Sequence, residues 1–250
     1  MVDLERQVVR DLVEHIHWLK RGRIGSRRMA QELQKRGHQI GRLQARTLMR
    51  EAGVECQQRQ RFKATTDSNH GRPVAPNLLE RQFNVAEPNR VWVADITAIW
   101  TREGWEYLAA VLDLADRQVV GWAMADHMRT ELATSALEMA LGRRQPEEGL
   151  IHHSDRGSQY AANEFQQMLG DKGIRQSMSR KGDCWDNAVM ERFFGTLKSE
   201  WADARQYATR EEARRDVIYF IEMEYNSQRP HTTLGVQSPR EREWELADVS

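Results

Sequence analysis

Cysteine is scarce in this chain: its 250 residues contain two, Cys56 and Cys184, far apart and outside any CxxC pattern. That scarcity excludes a disulfide scaffold and a cysteine-rich zinc centre, and it suits a reducing cytoplasm. Long apolar runs are missing as well. Stretches such as Tyr107-Leu108-Ala109-Ala110-Val111-Leu112 fall far short of the roughly 18 residues needed to cross a bilayer. The start, Met1-Val2-Asp3-Leu4-Glu5-Arg6, has no basic region followed by an apolar one, so no export signal is expected. Repeats and low-complexity tracts are absent too. So is net charge: 37 Lys and Arg face 37 Asp and Glu, which at face value speaks against a nucleic-acid-binding protein. What remains, 40% hydrophobic and 30% charged residues, is a globular composition with material for a core.

The neutrality is a cancellation. Residues 1–72 carry 16 basic and 8 acidic side chains, a net +8, and residues 73–250 carry 21 and 29, a net −8. The change falls at the polar stretch Thr65 to Pro73, which reads as a linker. In the basic segment Leu4, Val8, Leu12, Ile16 and Leu19 recur at helical spacing. Two shorter helices are expected at about 26–36, with Met29 and Leu33 inward, and 41–52, with Ala45, Leu48, Met49 and Ala52 inward. Short helices joined by a glycine-containing turn point to a helix-turn-helix. Arg42, Arg46 and Arg50 form a basic ridge beside the second apolar stripe. With Arg59, Arg61 and Lys63 downstream, they favour DNA contact over an ordinary solvated face.

From Arg90 the texture changes. Val91 to Trp100 is rich in β-branched and aromatic residues and reads as a central strand. Further strands are expected at about 105–113, 118–125, 150–154 and 174–178, and helices at about 130–141, 158–169 and 186–201. A capping box, Thr209-Arg210-Glu211-Glu212, opens a last helix to about Tyr225. The order gives an α/β layer with a mixed five-stranded sheet. The expected domains are a helix-turn-helix-like segment at 1–64, a linker at 65–88, a catalytic core at 89–203 and a helical extension at 204–250.

Three carboxylates stand out. Asp95 interrupts a β-branched run, and a carboxylate there must be hydrogen-bonded, paired or metal-bound. Asp155 ends the fourth strand before a glycine turn, where ligands gather in open α/β sheets, although taken alone a turn or helix-capping role fits it better. Glu191 lies on a helix whose core stripe is Met190, Phe194, Leu197 and Trp201. Asn187, Glu191 and Lys198 share an edge of that stripe, and Gly195, one turn on, permits close backbone approach. Three convergent carboxylates suit hard cations such as Mg²⁺, and a pair of ions suits phosphodiester chemistry.

The spacing, 59 residues between Asp95 and Asp155 and 35 between Asp155 and Glu191, is accompanied by longer motifs. These are His153 to Tyr160, Ser179 to Glu191 (SRKGDCWDNAVME), and Tyr225 to His231 followed by Leu234-Gly235 and Ser238-Pro239. Over essentially its whole length the chain closely resembles the OrfB-type transposases of the IS-three family of insertion sequences. The resemblance implies an RNase H-like, retroviral-integrase-type core. It also implies a catalytic, metal-binding triad of Asp95, Asp155 and Glu191, with two Mg²⁺ ions that Mn²⁺ can replace. The reaction implied is nicking that frees a 3′-OH, followed by strand transfer. Lys198 matches a basic residue associated with DNA near the cleavage site.

The implied partners are the element's terminal repeats, target DNA and an upstream-frame OrfA protein or OrfAB fusion. A homo-oligomer on DNA in the bacterial cytoplasm is expected, with no membrane. Two departures are visible. Ala94 stands where the family usually has Thr, and members usually carry some dozens of residues before the segment equivalent to Leu4–Leu19, so the chain is expected to be N-terminally short.

Among nearby polar residues, Arg156 and Asn187 are candidate DNA contacts, while His153 and Gln159 are candidate supports of the site. His152 and His153 are adjacent on a strand and point to opposite faces, so both cannot serve one metal; His152 is assigned to packing or solvent. Arg229 and His231 fit either a structural clamp or a DNA contact. The competing readings are a catalytically idle DNA-binding remnant or repressor, opposed by the complete set of carboxylates, and a structure-specific nuclease, poorly matched by the Asn226–Pro239 block.

Overall fold

The computed structural model describes residues 2–56, 73–180 and 184–248. Arg59, Arg61, Lys63, residues 65–72 of the expected linker and Lys181-Gly182-Asp183 of the long motif lie outside them. The chain divides into two compact units, Met1–Phe62 with Thr196–Arg205, and Lys63–Gly195 with Gln206–Ser250. Among the described residues no helix is long and apolar enough to cross a membrane.

The first unit contains α1 (Val2–Leu19), α2 (Ser26–Lys35) and α3 (Arg42–Glu51). Val13, Ile16, Ile24, Met29, Leu33, Ala45, Leu48 and Met49 form its core. Gly37, in the left-handed region at φ 89°, lets the chain turn from α2 towards α3. The expected inward stripe of α1 is only partly buried: Leu4 and Val8 are 75% and 57% exposed. Periodicity sets a face but not its cover. Two 10-residue helices, about 15 Å long each, cannot shield an 18-residue one.

The second unit is built on one sheet. Its strands are β1 (Val91–Thr101), β2 (Gly104–Asp113), β3 (Val119–Ala125), β4 (Ile151–Ser154) and β5 (Arg175–Met178), in the order β3-β2-β1-β4-β5. The first three are an antiparallel meander, and β4 and β5 add in parallel. This is the mixed RNase H-like sheet expected.

Helix α4 (Thr130–Arg144) and α5 (Asn163–Asp171) cover one face, packing on Trp92, Ala94, Ile96, Ala109 and Val111. The close approach of α4 depends on Gly121, where a Cβ would stand 2.2 Å from the Ala136 carbonyl oxygen. On the other face Glu106 of β2 is buried and accepts from Arg214 of α7 (Arg210–Tyr219) at 2.7 Å.

The N-cap of α7 is the expected one, Glu212 donating its backbone N–H to Thr209 Oγ1 at 3.1 Å. The helix widens into a π turn over Phe220–Tyr225, which ends at Asn226. The side chain of Asn226 then receives the N–H of Val119 and donates to its carbonyl, both at 3.0 Å. A backbone-like clamp thereby closes part of the β3 edge. Residues 76–78 cover the opposite edge: Met178 donates to the Pro76 carbonyl and Leu78 to Ser177 Oγ.

Three features differ from expectation. Helix α5 begins at Asn163 rather than 158, because residues 157–162 close tight turns on the Gly157 carbonyl. The helix expected from 186 begins as a 3₁₀ turn, Cys184–Asn187, before α6 (Ala188–Glu200). An unexpected α8 (Pro239–Asp248) follows Ser238, whose backbone N–H and Oγ–H both donate to Glu241 Oε2. That is a capping box inside a motif noted only for its resemblance.

Candidate active site

The parallel ladder between β1 and β4 ends with Ala94 opposite Ser154. One step further along each chain stand Asp95 and Asp155. In a parallel pair, positions in register point the same way, so topology brings these carboxylates side by side at the carboxyl end of β4. Both are half-buried. Asp95 Oδ1 accepts the N–H of Ile96 at 2.7 Å, and Asp155 Oδ1 accepts that of Gly157 at 2.8 Å. The turn role considered for Asp155 is thus realised together with its placement at the site. Gly157 makes this possible, since a Cβ there would lie 2.9 Å from Asp155 Oδ1 and 3.0 Å from Gln159 Oε1.

Buried Tyr160 reports the same pair. Its phenol is held well above its ordinary pKa by burial, then by the charges of Asp95 and Asp155.

Helix α6 enters through Asn187, whose Nδ2 donates to the Ala94 carbonyl at 3.1 Å. Met190, Phe194, Leu197 and Trp201 are buried as expected, with Phe193 in addition. The shared edge is not uniform: Asn187 is buried, Glu191 exposed and Lys198 half-buried. A 3₁₀ turn advances 120° per residue rather than 100°, so Asn187 rotates inward relative to a continuous helix. Among the described residues no three His, Cys, Asp or Glu side chains stand close enough to hold one metal ion. The donor set itself suits a hard divalent ion: two carboxylates beside the end of β4, with the sealed, unpartnered oxygen of Asn187 on a side chain tied to the carbonyl before Asp95.

The remaining candidates are placed as follows. Gln159 Nε2 donates to the Met128 carbonyl at 2.7 Å, tying the turn after β4 to the start of α4. Arg156 Nε donates to the Ser179 carbonyl at 2.6 Å, at the end of β5. His153 sits between Ser177 Oγ at 2.8 Å and Ser179 Oγ at 3.2 Å. Burial lowers its pKa to about 4 against a smaller upward pull from Asp186, so it serves as a neutral bridge from β4 to β5. His152 packs against Phe165 and Tyr160 in the core, and burial, with His153 adding to it, lowers its pKa to about 3. Arg42, Arg46 and Arg50 are all exposed, as a ridge on α3 requires.

Sequence reasoning missed Asp186. It is fully buried and accepts from Asn77 Nδ2 at 2.9 Å, Arg81 Nε at 2.8 Å and the Arg180 backbone N–H at 2.9 Å. The Arg180 guanidinium, then its N–H, then Arg81 hold this carboxyl below the usual carboxylate range. Asp186 therefore fastens both sides of the long motif next to α6. A buried Asp directly before Asn187 was the available signal.

The comparisons agree with this geometry. Residues 85–184 and 172–239 each match a family model described as "Integrase core domain", and residues 3–62 match "HTH-like domain". The chain is 46% identical over 235 residues to the insertion element IS600 uncharacterized 31 kDa protein of Shigella sonnei, covering 94% of this chain and 86% of that one. It is 40% identical over 221 residues to transposase InsF for insertion sequence IS3A of Escherichia coli K12, covering 88% and 77%. In structure it resembles a chain of the simian T-cell lymphotropic virus intasome, with TM-score 0.53, 16% identity and coverage of 94% and 73%. The chain belongs to the IS3 family of insertion-element transposases, with an integrase core and an HTH-like domain.

Proposed function

We propose that this transposase hydrolyses a phosphodiester at the end of its element to free a 3′-OH, and then uses that hydroxyl to attack target DNA. The observation that carries the reading is the β1–β4 register, which sets Asp95 beside Asp155 with α6 tethered one residue away. Asp95, Asp155 and Glu191 would hold Mg²⁺ or Mn²⁺ and so supply activation of the attacking hydroxyl and stabilisation of the leaving oxygen. Asp95 and Asp155 provide the half-buried pair, and Glu191 joins from the first turn of α6. Gly157 and Gln159 keep the Asp155 turn in shape, while neutral His153 bridges the strand beneath it. Arg156 anchors the end of β5 and, with Lys198, contributes positive charge towards DNA phosphates.

In the first, hydrolytic, step water adds at phosphorus and the 3′-oxygen leaves as a free 3′-OH. In the second the 3′-OH forms a new phosphodiester as the target's 3′-oxygen departs, and the number of phosphodiester bonds is conserved. The exposed ridge of Arg42, Arg46 and Arg50 binds DNA phosphates from the HTH-like unit. An upstream-frame protein or fusion and a homo-oligomer on DNA complete the proposal.

The test is joining of labelled terminal-repeat oligonucleotides to plasmid DNA by purified protein, with the upstream-frame protein added in parallel. Joining should need Mg²⁺ or Mn²⁺ and vanish in Asp95→Asn, Asp155→Asn and Glu191→Gln. Joining that persists in EDTA, or in any of the three variants, overturns the reading.

A further inference from the structure

Asn187 is 5% exposed, and its two amide ends have different fates. The end facing β1 meets the Ala94 carbonyl oxygen at 3.1 Å. A carbonyl can only accept, so that end must be Nδ2. The other end is therefore Oδ1, sealed from solvent and without a hydrogen-bond partner among the described residues. Leaving a buried amide oxygen unmatched costs about 1–3 kcal/mol. A position that tolerates this cost points to a donor that the described residues do not supply.

The surroundings define that donor. Asn187 is tied to the carbonyl immediately before Asp95 and lies four residues before Glu191. Carboxylates accept hydrogen bonds and cannot satisfy Oδ1. What can do so is a donor brought to the site by the carboxylates themselves, and Mg²⁺ characteristically keeps several of its waters when bound by one or two carboxylates. Resting on the proposed metal-binding role of the triad, we propose that Asn187 is a positioning residue of the cation site. Its Oδ1 accepts a hydrogen bond from water on the ion, while its Nδ2 fixes the backbone that aims Asp95. One side chain thereby couples the start of α6 to β1 and to the ion's hydration shell.

The experiment is Mn²⁺ titration of the full chain by calorimetry and electron paramagnetic resonance, with folding checked by circular dichroism in EDTA. Asn187→Leu fills the space and removes the oxygen; it should weaken Mn²⁺ binding about 10–100-fold. Asn187→Asp keeps an oxygen and adds a negative charge towards the ion, which outweighs the lost Nδ2 bond; it should bind Mn²⁺ at least as tightly as the parent. If one variant fails to fold, the other decides on the same criterion. Unchanged affinity in the Leu variant, or weaker binding in the Asp variant, overturns the proposal and leaves Asn187 a tether only. Asp95→Asn runs alongside: if it binds Mn²⁺ like the parent, the metal-site reading itself fails, a result distinct from failure of the Asn187 role alone.

Discussion

Two pairs of aspartates lie on one sheet, one where β2 turns into β3 and one where β1 runs beside the end of β4, and they are built for different purposes. Asp113 and Asp116, where β2 turns into β3, are fully buried. Asp113 accepts from Asn89 N–H, Trp92 Nε1 and Ala115 N–H, and Asp116 from Gln118 N–H and Arg144, which also pairs with Glu243. Burial raises the pKa of Asp113, and burial followed by the neighbouring Asp113 lifts Asp116 to about 7. Asp95 and Asp155 are half-exposed beside the carboxyl end of β4, Asp95 accepting the N–H of the next strand residue and Asp155 that of its own turn. A carboxylate enclosed by donors of its own fold is a fastening. One left partly open at the carboxyl end of a strand is positioned for chemistry.

Substitution should separate the pairs sharply. Asp95→Asn is expected to lower strand joining by at least about 1,000-fold while leaving the melting temperature near that of the parent. Asp113→Asn should instead cost about 2–4 kcal/mol of stability, measured by urea unfolding, because it disturbs a buried donor network. Equal loss of stability in both variants would erase the distinction. Gly157→Ala probes the Asp155 turn, where the new methyl meets Asp155 Oδ1 and Gln159 Oε1. Joining should fall about 100-fold at a stability cost below that of Asp113→Asn.

Proton linkage sharpens the contrast. His152 and His153 have folded pKa values of about 3 and about 4, below the unfolded value. Their contribution is present above about pH 6.5 and is lost as the pH falls, by about 1.4 kcal/mol per unit for each histidine until its folded pKa is reached. Asp116 has the opposite sign: raised to about 7, its contribution is present below the unfolded carboxylate range and is lost as the pH rises through 7. The stability gap between parent and Asp116→Asn should therefore narrow between pH 5 and pH 8 in parallel denaturation curves. The smallest effect concerns DNA. Each of Arg42→Ala, Arg46→Ala and Arg50→Ala should reduce the salt dependence of DNA binding by about one unit of log–log slope, without changing the Mn²⁺ requirement for joining.

Much of this was legible along the chain. A carboxylate inside a β-branched run marked Asp95, a strand end before Gly157 marked Asp155, and strand texture set all five strands to within one residue at each end. Other features depend on contacts between distant residues. Asp186 draws its role from Asn77 and Arg81, which fold back along β5 from more than 100 positions away. The clamp of Asn226 on Val119 spans 107 positions, so nothing local distinguishes it from a DNA-contacting asparagine. The different exposures of Asn187 and Glu191 arise from a 3₁₀ turn that a uniform helical projection does not contain.

Anomalous diffraction from crystals soaked in Mn²⁺ bears most directly on the division between the two aspartate pairs. A peak coordinated at about 2.0–2.2 Å by oxygens of both Asp95 and Asp155, with none at Asp113 and Asp116, is the expected result. Density at the buried pair instead, or none beside Asp95 and Asp155 at millimolar Mn²⁺, would contradict it.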